Sequence, residues 1–126
     1  MSMKNSIVIF FLLLLVFSAC KKKAGIGGQK TIYGNVTYKN GATSSFEKAN
    51  TAIVHIAYGT KSTTTNYDQT VAVDEDGAYH FDGLKKGDYF ISAEYTDVHG
   101  FSYTTAGYGV TINNKKEKLA LDIKLQ

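Results

Sequence analysis

The chain has 126 residues, 44% of them apolar and 20% charged, with a formal net charge of +3. That length holds one domain, and the ordinary apolar content argues against a disordered chain. All 14 basic residues are lysine; without Lys4 and Lys21 to Lys23, 10 lysines face 11 acids, so the body of the chain is nearly neutral. Lacking arginine forks and a basic face, it is not expected to bind nucleic acid.

The N-terminus begins with Lys4, continues with an apolar run from Ile7 to Phe17, and reaches Ser18-Ala19 before Cys20, the only cysteine. Eleven apolar residues make about 16 Å of helix, roughly half a bilayer core, so the run predicts an export signal over residues 1–19 rather than a spanning helix. Residues 20–30 read as a short tether, with glycines at 25, 27 and 28.

The remainder, residues 31–126, predicts strands. Ile32, Gly34, Val36 and Tyr38 alternate with Thr31, Tyr33, Asn35 and Thr37, and Asn40 to Asn50 is a polar loop. Ala52, Val54, Ile56 and Tyr58 form the core face of the next strand, whose other face, Ile53, His55 and Ala57, is apolar enough to imply a central strand or a covered surface. Gly59 to Gln69 is a long Thr-rich loop around Tyr67. Val71 to Tyr95 then writes three strands with turns at Asp76-Gly77 and Lys86-Gly87-Asp88. Phe101 to Ile112 predicts a strand bent near Ala106-Gly107, and Leu119, Leu121, Ile123 and Leu125 close the domain. Seven strands without helical periodicity predict an all-β, seven-stranded antiparallel β-sandwich.

Two resemblances sharpen this reading. Phe17-Ser18-Ala19-Cys20 resembles the lipobox of bacterial lipoproteins, which implies cleavage before Cys20 and acylation of its thiol and new amino group. A plain secretory signal followed by a chance cysteine is the alternative. Such a lipid would hold the protein on the membrane, with Lys21 to Lys23 beside the headgroups. Lys21 is not the aspartate that accompanies inner-membrane retention in those lipoproteins, so the resemblance implies the outer membrane facing the periplasm, with surface display open. Asp74, Asp76, Gly77, Tyr79, Phe81, Gly83, Leu84, Gly87, Tyr89 and Ile91 follow an order that resembles carboxypeptidase regulatory-like and collagen-adhesin B-type modules. These are transthyretin-like β-sandwiches, and the likeness extends over residues 31–126.

Fragments of chemical motifs lack their contexts. Ser45-x-x-Lys48 has none of the companions of penicillin-recognising enzymes, and no Gly-x-Ser-x-Gly elbow occurs. Asp74-x-Asp76-Gly77 starts like a calcium loop without its closing glutamate, and reads as a turn in which aspartate accepts backbone N–H groups. His55 and His80 would both face outward and could meet across strands as a zinc or copper site, although solvated positions are the default. Asp122 has the parity of a solvent-facing residue, which disfavours the isopeptide crosslink found in many collagen-adhesin modules.

Nine tyrosines and no tryptophan suit both a thin core and a contact surface. The candidate binding residues are Tyr67, Tyr108 and Lys61; no catalytic residue, metal or cofactor is expected. The reading is a lipid-anchored, non-enzymatic envelope module that binds or scaffolds a protein partner. Binding of a carbohydrate, peptide or metal is the alternative, and a hydrolase comes third.

Overall fold

The structure, a computed structural model, describes residues 24–113, 115 and 117–126. Cys20 and the predicted export signal, residues 1–19, lie outside these residues. Among the described residues ten strands form: β1 (Ile26–Lys39), β2 (Phe46–Lys48), β3 (Ile53–Tyr58), β4 (Gln69–Ala72), β5 (Ala78–Leu84), β6 (Gly87–Thr96), β7 (Ser102–Thr104), β8 (Tyr108–Ile112), β9 (Lys118–Ala120) and β10 (Ile123–Leu125). They make two five-stranded sheets. In one, β1 is central, with β5 and β2 along one side and β9 and β10 along the other; the second runs β4-β3-β6, with β7 and β8 both paired to β6.

The all-β sandwich expected from alternation is therefore what folds. Each of two predicted strands is interrupted once. Between β7 and β8 the chain passes Gly107 at φ 93°, where an added Cβ would lie 2.2 Å from the Phe90 ring, so only glycine lets the edge cross that ring. Between β9 and β10, Leu121 still donates its N–H to Tyr33, and the Asp122 carboxylate accepts the Asn35 N–H at 2.9 Å. Gly34 lies against this break, 1.9 Å from its would-be Cβ to the Leu121 carbonyl oxygen.

Three expectations are corrected. Ten strands form among the described residues where seven were expected, because two predicted strands are interrupted and Phe46–Lys48, inside the predicted Asn40–Asn50 loop, pairs with β1. The sandwich is not antiparallel throughout, because the closing strands β9 and β10 run parallel to β1. The domain also starts before residue 31: β1 begins at Ile26, and Ala24-Gly25 is strapped into the fold rather than left as tether. Gly25 donates its N–H to the Tyr89 hydroxyl at 2.9 Å, that hydroxyl donates to the Lys85 carbonyl at 2.6 Å, and the Lys85 N–H returns to the Gly25 carbonyl at 2.8 Å. A buried tyrosine hydroxyl needs partners, and here the entering backbone supplies them.

The core between the sheets is built from the inward sets of each strand, among them Ile32, Val36, Val54, Ile56, Phe81, Leu84, Ile91, Ile123 and Leu125. Because β1 enters beside Tyr89 and ends at Lys39, the molecule has two poles. The entry pole carries Ala24, the β5–β6 turn and the β8–β9 connection. The far pole carries the β1–β2, β4–β5 and β6–β7 connections and the C-terminus.

Candidate functional site

Inward alternation along β1 ends in Tyr38, and along β6 it ends in Tyr95. Tyr103 on β7 is registered directly opposite Tyr95. Three rings from three strands thus meet at the far pole, with centroids 4.6 Å (Tyr38–Tyr95), 5.0 Å (Tyr38–Tyr103) and 6.1 Å (Tyr95–Tyr103) apart. They line a cleft of about 710 Å³ with Asn40, Glu47, Asp97, Phe101 and Gln126 among its walls. An aromatic floor with a few convergent polar groups is the usual make-up of a small-molecule site.

The polar groups are held in place. Tyr38 donates its hydroxyl to Glu47 Oε2 at 2.9 Å, and Asn40 Nδ2 donates to the same oxygen at 3.2 Å. The β6–β7 turn closes on Asp97, whose Oδ1 accepts the N–H groups of His99 and Phe101, both at 2.9 Å, while Tyr103 donates its hydroxyl to Oδ2 at 3.2 Å. The hydrogen bond to Glu47, aided by burial, pushes the Tyr38 phenol up to about 12. Tyr103 is raised by burial and then by its bond to Asp97. Desolvation works to raise the Asp97 carboxyl, but the Phe101, His99 and Tyr103 hydrogen bonds outweigh it, and Asp97 lies below its ordinary value. It therefore stays an acceptor at neutral pH.

The residues singled out from sequence are placed elsewhere and apart. The Thr-rich loop folds back over the outer face of the β4-β3-β6 sheet. There the Tyr67 ring stacks on His55 with centroids 4.5 Å apart, and Ser92 donates to its hydroxyl at 2.7 Å. Lys61 lies in the same loop, its backbone against Gly109. That explains the apolar outer face of β3: the strand is central and the loop covers it, with Ala57 and Phe90 buried. Tyr108 faces the other way, packed against the core with its hydroxyl 3.5 Å from the Lys124 N–H.

A smaller cleft of about 290 Å³ beside Tyr67 gathers His55, Ser92 and Glu94. The geometry is not that of an activated nucleophile, because Ser92 spends its proton on Tyr67. The two His55 nitrogens meet Thr70 at 2.8 Å and Glu94 at 3.6 Å. His55 and His80 do not meet: they stand on different sheets, and His80 pairs with Asp82 at 2.7 Å. Among the described residues, no three His, Cys, Asp or Glu side chains converge as metal ligands would. Asp74 makes the expected turn, its Oδ1 accepting the N–H groups of Asp76 and Ala78, both at 2.9 Å.

The tyrosine cleft itself was missed. Each ring follows from alternation as an inward residue, but their meeting depends on which strand ends share a pole. The excess of tyrosine was the one signal in the sequence that pointed toward it.

No protein-family model matches the sequence, and no curated protein matches it. Solved structures do resemble the fold. The major pilin subunit of Bacillus cereus is 19% identical at a TM-score of 0.53 over 79% of this chain, which spans only 30% of that subunit. A proposed carbohydrate binding protein of Pseudomonas aeruginosa is 15% identical at a TM-score of 0.51, covering 80% of this chain and 91% of its own. At such identities the likeness speaks for the β-sandwich.

Proposed function

We propose that this chain is a non-enzymatic binding module of the cell envelope, held by lipid on Cys20, which takes carbohydrate in the tyrosine cleft. The observation that carries the reading is the cleft: three clustered rings beside fixed carboxylate and amide groups. Sugar rings present C–H faces that pack on aromatic surfaces and hydroxyls that donate to carboxyl oxygens, and Asp97 and Glu47 supply such acceptor oxygens next to Tyr103 and Tyr38. The Pseudomonas aeruginosa protein of similar fold has been assigned the same ligand class, which adds support. The module architecture fits the carboxypeptidase regulatory-like and collagen-adhesin B-type resemblance, with an export signal and lipobox preceding the domain.

Calorimetric titration of the mature chain with a panel of neutral and amino-sugar oligosaccharides tests this. Saturable binding is expected, weakened roughly tenfold, or about 1.4 kcal/mol, by Tyr103→Ala and left unchanged by Tyr67→Ala. The reverse pattern moves the site to the Thr-rich loop, and no binding by any saccharide removes the carbohydrate reading. A second reading, a protein partner, is favoured by the lip of the same cleft, where Val98 is 93% exposed and Phe101 66%. In-cell photocrosslinking from Val98 to a discrete protein band would support it.

A further inference from the structure

We infer that the entry pole is a membrane-docking surface that sits on anionic lipid headgroups and turns the tyrosine cleft away from the bilayer. The inference rests on the lipid-anchoring part of the proposed function and not on the ligand. Its first support is covalent reach. With Ala24 and Gly25 strapped to Tyr89 and Lys85, only Cys20 to Lys23 separate the lipid attachment point from the folded body. Four residues extend at most about 14 Å, which caps how far the body can stand from the anchor, and a lysine side chain spans several ångströms of that distance. At physiological salt, charges interact over about 8 Å, so the pole lies within electrostatic range of the headgroups.

The second support is what the pole displays. Lys86 and Lys118 are exposed there, Lys30 and Lys85 are partly exposed, and Lys115 stands on the β8–β9 connection. Lys30, Lys85 and Lys86 rim a basin of about 400 Å³ whose floor is Gly27 and Gly28, with Glu117 the acid on its edge. Glycine is required in that floor, since a Cβ at Gly28 would lie 2.1 Å from the Leu84 carbonyl oxygen. The basin is thus kept shallow and open for a headgroup phosphate. Ile26 is 65% exposed on the same pole and offers an apolar contact to the acyl boundary. The entry-pole lysines outnumber Asp82, Asp88 and Glu117, whereas at the far pole Glu47, Asp74, Glu75, Asp76 and Asp97 outnumber Lys39, Lys48 and Lys124. An anionic surface therefore attracts one pole and repels the other.

The full lipidated chain, reconstituted on phosphatidylcholine vesicles with or without phosphatidylglycerol, tests the inference by amine-reactive footprinting read by mass spectrometry. Labelling of Lys85 and Lys86 should slow several-fold on the anionic vesicles and recover in high salt, while Lys39 and Lys48 at the far pole stay unchanged. Equal labelling of Lys85 and Lys86 on both vesicles overturns the docking. A double variant, Lys85→Glu with Lys86→Glu, should abolish the slowing at Lys30 and Lys118 without changing the melting temperature. Flotation with uncharged vesicles reports the anchor alone, so a chain that fails to float shows the failure of the lipid reading instead.

Discussion

Tyr38 shows how one side chain links core, cleft and pH. Its ring completes the inward set of β1, and its hydroxyl serves as donor to Glu47. Ionising it would destroy that bond and set a phenolate against a carboxylate, so the folded chain holds the proton more tightly than the unfolded chain does. A raised folded value means the associated stability is fully present below pH 10.0 and is lost as pH climbs toward about 12. Tyr79, Tyr58 and Tyr89 are raised chiefly by burial, and Tyr103 by burial with Asp97, so all five act in the same direction. Melting temperature should fall steeply across that alkaline window, together with the rise of tyrosinate absorbance. Tyr38→Phe should flatten the fall; an unchanged profile would show that the Glu47 bond is not what holds the proton.

The strands themselves were open to reading because period-two alternation is local. Val54, Ile56, Tyr79, Phe81, Tyr89 and Ile91 are all buried as alternation requires, and Gly77 at φ 77° makes the Asp74 turn. Pairing is not local. Nothing within Leu119 to Leu125 says that these residues lie parallel to β1, or that Asp122 replaces a ladder bond for Asn35. Tyr67 illustrates the same limit: composition marked it, but its ring is occupied with His55 over a sheet face whose apolar character was visible beforehand. The parallel seam yields a sharp expectation at Gly34. Its φ is ordinary, so only space forbids a side chain, and Gly34→Ala forces β9–β10 away from β1. A loss of about 3 kcal/mol, read as a lower urea midpoint, is expected. Retained stability would mean that the closing strands contribute little to the fold.

For the molecule as a whole, the proposed anchor at one pole and the proposed ligand at the other make β1 the line along which load passes. From Lys30, where it resumes its pairing with Leu84 after a bulge, to Tyr38 it runs about 26 Å at roughly 3.3 Å per residue, from the entry pole to the floor of the cleft. It is flanked along its length, by β5 and β2 on one side and by β9 and β10 on the other. Because β9 and β10 run parallel to β1, Ala24 lies at the entry pole and Gln126 at the far pole. Pulling the two ends apart then loads the seam along the strand direction. The ladder bonds of the seam share the force instead of opening one at a time. Stretching single molecules between residue 24 and Gln126 should give one cooperative rupture. Asp122→Ala, which removes the acceptor for the Asn35 N–H, should lower the force at which it occurs. Stepwise opening at low force in the parent chain would show that the seam peels, and that the load of a tethered module runs through the β4-β3-β6 sheet instead.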